Sequence, residues 1–574
     1  MINFLKQLET LARESGSATA FIDQDGKRST SYAQLNEHSS RVAAWLQSQG
    51  VGREDIVAIL LPRGVEYFVV ELAVFKVGAA FIPLDSHQAS DRREYIIKDS
   101  GAKLIFTMAE YKKSIVCAPL ETWAESDLHD LAFIIYTSGS TGNPKGVMQE
   151  YAAVDQIIGL CSGAFKFSCN QQRDKGQFRF ALITPLIFVA TMDVLIICLW
   201  QKATICIISE ELLRNFNGLL KYFCDYKINA TFMTMSLYKH IPLNLPLDLR
   251  MVALGSEVVS EAFNDRFKLL NCYSMSEIVV PLAFVIDKPY KVTPVGQPYP
   301  FLAARLLDEE GRVTAREGIL CVRLPYFRGY LNLPAKDAAA FTVIEGQKYF
   351  VTGDLVTSDE KERLVVLGRA DDMLKINGNR VEPGEVEGAI LRVCPEVKQV
   401  VVRGFTDQQG LNYLCAYYLA DRELPLETFR TRLRPVITEY MFPRYYLHLD
   451  RFPLTPTGKV ARRQLPEPHA ESFRRDYRPP VDELEKALCD GFAKILRLKQ
   501  VSAEDDFYLL GGDSLATMSL VAALPIEGLT FKEIVDGRTP VKIASLCRER
   551  NMTLTIAEAN SRPKVRRADY PVRT

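Results

Sequence analysis

The sequence of 574 residues lacks the features that mark several classes of protein. It has no excess charge, because 70 Lys and Arg balance 70 Asp and Glu, which argues against nucleic acid or an acidic membrane as a partner held by bulk electrostatics. No apolar run has the length of a membrane span, since the most apolar region is interrupted by Pro185, Thr191 and Asp193. The first 16 residues are amphipathic and contain no signal-peptide core. We therefore expect a cytoplasmic protein that binds neither nucleic acid nor membrane.

Cysteine pairs are also missing. The 12 cysteines are scattered singly, and none has the C-x-x-C spacing that is typical of zinc sites and redox sites. Most are surrounded by apolar residues, as buried thiols usually are. This pattern predicts a reduced protein without disulfides or structural zinc.

The length predicts several folding units, because a single hydrophobic core rarely grows beyond about 250–300 residues. In the first part of the chain, helical patterns alternate with short apolar strands such as EDIVAILL (54–61), which predicts a layered α/β fold with a largely parallel sheet. A compact α+β pattern follows, and then a Pro- and charge-rich connector and a small helical unit. The predicted boundaries are 1–369 for the core, 370–466 for the α+β unit, 467–480 for the linker, 481–550 for the helical unit and 551–574 for a polar tail.

A loop rich in glycine and hydroxyl side chains, TSGSTGNPKG (137–146), follows the apolar strand LAFIIYT (131–137). Ligands of parallel sheets bind beyond the carboxyl ends of strands, and glycines allow a tight turn that presents backbone N–H groups. Lys145 adds a positive charge, so the composition favours a polyphosphate ligand. An ordinary surface loop is the alternative for so short a motif. The loop is not a Walker motif, because Lys145 is followed by Gly146 instead of Ser or Thr.

The longer stretch LAFIIYTSGSTGNPKGV resembles the phosphate loop of the adenylate-forming enzymes, a family that includes acyl-CoA ligases, luciferases and the adenylation domains of nonribosomal peptide synthetases. Other segments resemble the family in the same order: NCYSMSE (271–277) the adenine segment, YFVTGDL (349–355) the ribose segment, GRADDMLKINGNRVEPGEVE (368–387) the hinge, and PLTPTGKVARRQLP (453–466) the segment of the catalytic lysine. The resemblance implies large N-terminal α/β subdomains and a small, mobile α+β C-terminal subdomain.

The implied reaction has two steps: a carboxylate attacks the α-phosphorus of ATP, and a thiol then attacks the acyl-adenylate. By resemblance, Glu277 is the Mg²⁺ ligand, Lys459 bridges the substrate carboxylate and ATP, and Asp371 is the hinge. The implied ATP-binding residues are Thr137, Ser138, Gly139, Ser140, Thr141, Gly142, Lys145, Tyr273, Ser276, Asp354 and Arg369. The adenine segment departs from the family pattern, because Ser274-Met275-Ser276 replaces Gly-Pro-Thr.

A second motif, DDFYLLGGDSLATMSLV (505–521), places Ser514 between a Gly-Gly-Asp turn and an apolar helical pattern. It resembles the attachment site of 4'-phosphopantetheine in carrier proteins, which implies a four-helix-bundle carrier domain and a phosphopantetheinyl transferase as partner. A simple helix cap is the alternative for a lone serine.

A fused carrier favours a synthetase loading module over a free acyl-CoA ligase, because a tethered thiol acts at high effective concentration. The ending ADYPVRT resembles the segment that leads into a condensation domain. We therefore expect a downstream condensation domain or synthetase module as partner, and a chain that is a piece of a longer synthetase.

The carboxylic acid substrate is expected to bind along TPLIFVATMDVLIICLW (184–200). Family members that take α-amino acids pair the substrate ammonium with an aspartate, and the resemblance places Val189 at that position. Because a buried ammonium without a counter-ion is costly, we hypothesise a keto, hydroxy, aryl or fatty acid. Asp193 lies one helical turn later and could pair with an amine away from the α-carbon, so a β-amino or aminoaryl acid is an alternative substrate. An ordinary α-amino acid that is held differently is a further alternative. The candidate pocket residues are Phe188, Val189, Ala190, Asp193, Phe232, Val252, Leu254, Cys272 and Val280.

Two other functions also fit the sequence. The altered adenine segment would suit a non-catalytic scaffold that binds an adenylate and gives no ATP–pyrophosphate exchange. A ligase that releases its product to free CoA would gain no phosphopantetheine arm on Ser514.

Overall fold

The computed structural model describes residues 3–554 apart from 140–142, 167–176, 243–246, 300–301, 309, 371–372, 377, 408–411, 454–459, 469–476, 497 and 513. Its chain forms two compact units. The larger contains Met1–Leu213 and Gly218–Pro466, and the smaller contains Arg214–Asn217 and the chain from Glu467 onward. Among the described residues, no helix combines the length and apolarity that crossing a membrane requires.

The first 370 residues alternate helices and strands. The helices are α1 (Asn3–Glu14), α2 (Tyr32–Ser48), α3 (Val65–Lys76), α4 (Ser90–Ser100), α5 (Met108–Ser114), α6 (Tyr151–Gly159), α7 (Val189–Trp200), α8 (Glu210–Leu213), α9 (Phe216–Asp225), α10 (Met235–Tyr238) and α11 (Pro334–Ala340). The strands are β1 (Thr19–Asp23), β2 (Arg28–Ser31), β3 (Ile56–Ile59), β4 (Ala80–Pro83), β5 (Leu104–Phe106), β6 (Leu131–Thr137), β7 (Lys145–Glu150), β8 (Arg179–Leu182), β9 (Thr204–Ile207), β10 (Ala230–Met233), β11 (Met251–Leu254), β12 (Lys268–Met275), β13 (Ile278–Val285), β14 (Ala304–Leu307), β15 (Val313–Thr314), β16 (Glu317–Val322), β17 (Phe327–Tyr330), β18 (Phe341–Ile344), β19 (Gln347–Ser358) and β20 (Leu364–Arg369).

Two of the sheets are largely parallel, as the alternating pattern predicts. The first has the order β13-β12-β11-β10-β8-β9-β1-β2 and is parallel from β12 to β1. The second has the order β17-β7-β6-β4-β3-β5 and is parallel from β6 to β5. The helices α3 and α7 are mostly apolar, as buried helices usually are, and every residue of α7 except Trp200 is buried. A third, antiparallel sheet runs β15-β14-β16-β19-β18, with β20 paired to β19.

The small α+β subdomain comes next. Its elements are β21 (Leu374–Ile376), β22 (Asn379–Val381), α12 (Pro383–Val393), β23 (Val397–Thr406), β24 (Asn412–Ala420), α13 (Leu426–Leu433) and β25 (Tyr445–His448). It has a hydrophobic core of its own, in which Val386 and Ile390 of α12 pack with Val402 and Leu414 of the β23-β24-β25 sheet. Gly378 turns the β21–β22 hairpin at a positive φ of 79°, and a Cβ there would lie 3.2 Å from Thr234 and Ser256 of the preceding part. This hairpin therefore packs on the ends of β10 and β11.

The smaller unit is helical. It contains α14 (Glu483–Leu496), α15 (Ser514–Ala523), α16 (Phe531–Gly537) and α17 (Pro540–Glu549) around a core that includes Leu488, Phe492, Phe507, Ile534 and Ile543. Thr530 and Thr539 cap α16 and α17 with their side chains. The predicted fold class, α/β followed by α+β and a four-helix carrier unit, is confirmed.

Candidate active site

The glycine and hydroxyl loop joins β6 to β7, which pair antiparallel with Thr137 opposite Lys145. Its Ser138 hydroxyl donates to the carbonyl oxygen of Arg380 at 2.9 Å, and the Gly139 N–H donates to Oε2 of Glu385 at 3.1 Å. A Cβ at Gly139 would lie 2.0 Å from the Asn143 carbonyl oxygen, so the backbone approaches too closely for any other residue. The loop therefore presents an amide to a carboxylate, as an anion-binding loop does. The predicted ligands Ser140, Thr141 and Gly142 lie outside the described residues.

Lys145 is buried at the start of β7 and points to a carboxylate. Its Nζ donates to Oε1 of Glu277 at 3.3 Å and to the Tyr330 hydroxyl at 3.3 Å, and it lies 4.4 Å from the centre of the Tyr330 ring. Burial lowers the pKa of Lys145 to about 8, although the attraction of Glu277 opposes this effect. The site thus holds a cation that titrates near neutral pH.

Glu277 lies in the turn between β12 and β13 and is fully inaccessible to solvent. Its Oε1 accepts a hydrogen bond from the Tyr330 hydroxyl at 2.7 Å, and Nη1 of Arg380 donates to Oε1 at 3.1 Å and to Oε2 at 3.2 Å. Burial alone would raise the pKa of Glu277, but Arg380 and Lys145 lower it to about 2. The carboxylate is therefore ionised at any physiological pH.

The surroundings of Glu277 suit a hard cation. Gln149 donates from Nε2 to the carbonyl oxygens of Ser276 and Glu277 at 2.7 and 3.2 Å. Within the described part of the chain, Oε1 of Gln149 and Oγ1 of Thr137 are buried without a hydrogen-bond partner. An ionised carboxylate is the kind of oxygen ligand that Mg²⁺ prefers. The residues present fit the metal that the sequence predicts.

A second carboxylate, Asp354 on β19, lies beside the predicted adenine and phosphate contacts. Its Oδ2 accepts from the Tyr273 hydroxyl at 2.5 Å, and its Oδ1 accepts from Nη1 of Arg369 at 3.0 Å. Arg369 is opposite Asp354 in the β19–β20 pairing, and it also donates to the Thr352 carbonyl oxygen at 2.8 Å. The structure therefore brings together three residues that lie up to 96 positions apart and that the sequence assigns to ATP binding.

The residues predicted to line the acid pocket lie at α7 and on the strands β10, β11, β12 and β13. Val189 and Ala190 begin α7 and are buried, and Phe188 precedes them as the half-buried N-cap residue. On the sheet, Phe232 is paired with Ala253, and Ala253 with Leu270. A Cβ on Gly255 would lie 2.6 Å from the Phe232 ring and 3.1 Å from the Cys272 carbonyl oxygen.

Two predicted pocket residues, Val252 and Leu254, alternate with Ala253 along β11, and side chains of a strand point alternately to opposite faces. Both therefore lie on the face away from Phe232 and Cys272, whereas Ala253 and Gly255 lie on the same face as these two residues. The assignment of Val252 and Leu254 to the pocket stays a prediction. Val280 lies on β13, and its side chain is not among those described.

Asp193 is the acidic residue of this region. It is buried on α7, 6% exposed, and its Oδ1 has no hydrogen-bond partner among the described residues. Burial raises its pKa well above the ordinary value. The carboxyl lies close enough to Cys272 to raise the pKa of that thiol further, after the larger effect of burial.

The remaining predicted residues are placed only in part. Ser514 is the first residue of α15, a position where free N–H groups and the helix dipole favour a phosphate, and its side chain is not described. Ser276 is half-buried in the turn next to Glu277. Lys459 and Asp371 lie outside the described residues.

Several site residues were not predicted from the sequence. Arg380 and Glu385 contact the phosphate loop from β22 and α12, and Glu385 forms a buried ion pair with Arg92. Tyr330 on β17 joins Lys145 to Glu277. The pattern GNRVEPGEVE contains Arg380 and Glu385, but nothing local shows that they reach a loop about 240 residues earlier.

Comparisons with known proteins agree with this arrangement. The family model of the AMP-binding enzymes matches residues 8–331, which is more than half of the chain. The chain belongs to the AMP-binding enzyme family. The model of the phosphopantetheine attachment site matches residues 486–531, so this family member also contains the attachment region of a carrier domain.

Among curated proteins, tyrocidine synthase 2 of Brevibacillus parabrevis is 32% identical over 91% of this chain, and tyrocidine synthase 1 of the same organism is 29% identical over 87%. The chain spans 15% of the length of tyrocidine synthase 2 and 48% of the length of tyrocidine synthase 1, so it corresponds to less than half of each relative.

Solved structures share the fold. Holo-PA1221, a nonribosomal peptide synthetase protein with adenylation and carrier domains, has a TM-score of 0.74 and 21% identity, and the match covers 95% of this chain and 96% of that one. Holo-AB3403, a four-domain synthetase bound to AMP and glycine, has a TM-score of 0.57 and 25% identity over 97% of this chain and 43% of its own.

Proposed function

We propose that this chain activates a carboxylic acid with ATP as an acyl-adenylate and transfers the acyl group to a thiol carried on Ser514, as a loading module of a nonribosomal peptide synthetase. The observation that carries the proposal is the convergence of Lys145 and Glu277 beside the Ser138–Gly139 backbone. Phosphoryl transfer depends on positioning and charge neutralisation, which such a cradle supplies.

Each part of the site has a role in the first half-reaction. The loop amides and Lys145 hold the β- and γ-phosphates of ATP. Asp354 accepts hydrogen bonds from the ribose hydroxyls with the lone pairs that Tyr273 and Arg369 leave open. We propose that Lys459 draws the substrate carboxylate toward the α-phosphorus, and that Asp371 is the hinge at which the small subdomain turns between half-reactions.

Two groups complete the site. Glu277, with the carbonyl region held by Gln149, would hold Mg²⁺, which supplies charge neutralisation for the phosphates. Ser514 at the start of α15 would carry 4'-phosphopantetheine, which supplies the accepting thiol. A phosphopantetheinyl transferase must then recognise this unit, and a downstream condensation domain or synthetase module receives the acyl group.

The substrate of the proposed reaction lacks an α-ammonium. This proposal is supported by Val189, which is buried at the start of α7 where an α-amino-acid pocket would need a counter-charge. Val189 belongs to a hydrophobic cluster that also contains Cys272, and Phe232 packs against this cluster. Keto, hydroxy, aryl and fatty acids meet this requirement.

ATP–pyrophosphate exchange tests the proposal. Purified protein with Mg²⁺ and a panel of carboxylic acids is expected to exchange label with at least one acid that has no α-amine. The variant Ser514→Ala should keep this exchange but lose acyl loading and the mass of the phosphopantetheine arm. No exchange with any acid would overturn the proposed activity, and exchange confined to ordinary α-amino acids would overturn the substrate class.

A further inference from the structure

Asp193 is a buried acid with one carboxyl oxygen that the described core does not pair. It is 6% exposed on the apolar helix α7, and among the described residues nothing donates to its Oδ1. A buried polar atom without a partner is costly, and most such atoms in folded proteins are paired. The feature therefore calls for a ligand or another reason outside the fold.

The position of Asp193 points to the acid pocket. It follows Val189 by four residues, so both side chains leave the same face of α7. Its carboxyl affects the neighbouring Cys272, which ends the sheet face that also carries Phe232 and Gly255. Asp193 therefore lies on the same side of α7 as Val189. It is one helical turn further than Val189 from the end of the strands at which ATP is proposed to bind.

We propose that Asp193 accepts a hydrogen bond from an amino or hydroxyl group at the far end of the substrate acid. The inference rests on the proposed function and narrows its substrate class from any acid without an α-ammonium to one with a remote hydrogen-bond donor. Plain fatty and alkylaryl acids leave the buried carboxyl unpaired and are poor substrates.

The geometry of the helix sets the length of this substrate. Four residues of an α-helix rise about 6 Å, which an extended carbon chain covers in about five bonds. The donor therefore lies several bonds beyond the α-carbon, at the para position of a benzoate or near the fifth carbon of a linear acid. A β-amino acid places its amine too close to the carboxylate to reach Asp193.

Matched acids that differ only in the donor test the inference. One set is 4-aminobenzoate and 4-hydroxybenzoate against 4-methylbenzoate, and the other is 5-aminopentanoate and 5-hydroxypentanoate against hexanoate. In ATP–pyrophosphate exchange, we expect kcat/KM for a donor-bearing acid of at least one set to exceed that of its methyl analogue by about 100-fold or more, because a site built for a donor rejects the analogue without it.

Two variants assign the preference to Asp193. Asp193→Leu should reduce the ratio between donor and methyl acids at least 10-fold. Asp193→Asn, which preserves the shape and a neutral oxygen acceptor, should retain the hydroxy acid better than the amino acid if the amine binds as a cation. Glu71→Gln is the matched control, because Glu71 is also a buried acid with an oxygen that lacks a partner in the described chain, but it lies on α3. In Glu71→Gln, the ratio of kcat/KM between donor and methyl acids should equal that of the wild type.

The outcomes separate the two proposals. Equal exchange with donor and methyl acids in both sets, or an unchanged ratio in both Asp193 variants, overturns this inference and leaves acyl-adenylate formation standing. Absence of exchange with every acid overturns the proposed function itself, and this inference with it.

Discussion

Arg380 and Glu277 form a buried ion pair in which one guanidinium nitrogen contacts both carboxylate oxygens, at 3.1 and 3.2 Å. Arg380 comes from the β21–β22 hairpin of the small subdomain, and Glu277 from the turn beneath the phosphate loop. The small subdomain therefore covers the carboxylate that we propose as the Mg²⁺ ligand. An arginine and a metal ion would compete for the same oxygens, so the proposed function predicts that Arg380 moves away from Glu277 when the metal binds.

The first prediction concerns this pair. Arg380→Ala should reduce acyl loading of Ser514 by about 10-fold, because removing one partner of a buried ion pair costs about 3–5 kcal/mol and Lys145 makes up only part of the charge. Exchange of pyrophosphate should stay within about 3-fold of the wild type, since the metal replaces the arginine in that step. Loading is measured by intact mass after a single turnover.

Arg432→Ala is the control for this variant, because Arg432 pairs with Glu396 on the outer surface of the same subdomain. Equal losses of exchange and loading in Arg380→Ala would contradict a role confined to the second half-reaction.

The second prediction concerns pH. Lys145 has a pKa lowered to about 8, so it is charged below that pH and neutral above it. Because a neutral amine cannot attract the phosphates, kcat/KM for ATP should fall as the pH rises through about 8. Lys145→Arg should remove this fall, since arginine stays charged throughout. A flat wild-type profile between about pH 7 and 9.5 would show that another group carries the attraction.

The third prediction concerns the ribose contact. Asp354→Asn should lower kcat/KM for ATP by about 10- to 100-fold, because hydrogen bonds to a charged group contribute about 1.5–3 kcal/mol each. Tyr273→Phe keeps the ring and removes only the hydroxyl that donates to Asp354, so a decrease of less than about 5-fold is expected. Initial rates at saturating acid give both values. A Tyr273→Phe loss equal to that of Asp354→Asn would mean that the hydroxyl, and not the carboxylate, is the main contact.

The fourth prediction tests which face of β11 contacts the substrate. Gly255→Ala would place a methyl group 2.6 Å from the Phe232 ring, which must shift into the pocket. The variant should therefore lose at least about 10-fold in kcat/KM for its best acid and favour shorter acids. Val252→Ala, on the other face of β11, should lower the melting temperature and leave the order of preference unchanged. If Val252→Ala alone changed the order of preference among acids, the substrate would contact the face of β11 that carries Val252.

The parts of the fold with a strong local pattern were predictable. The apolar strand before the glycine loop and the all-apolar helix α7 follow from composition over a few residues, and both form where the pattern places them. The α+β and helical units were also predicted, because hydrophobic periodicity changes at their borders. These features depend on neighbours in sequence.

Long-range features were not predictable in the same way. The contacts of Arg380 and Glu385 depend on how the small subdomain packs, which no local pattern encodes. The face of β11 on which Val252 and Leu254 lie depends on strand pairing, because a one-residue shift along a strand moves every side chain to the other face. Asp193 was recognised as a candidate, but its lack of a partner is a property of the packed core.

The contact of Gly139 with Glu385 changes what nucleotide binding means at this loop. The protein supplies its own negative group to the amide, and Arg92 holds that group in place. If ATP binds at this loop as proposed, a phosphate oxygen must displace the Glu385 carboxylate, so the Gly139 amide exchanges one anionic acceptor for another. The affinity for ATP would then depend on how much more strongly the amide binds a phosphate oxygen than the Glu385 carboxylate. When pyrophosphate leaves, Glu385 would be close enough to take its place.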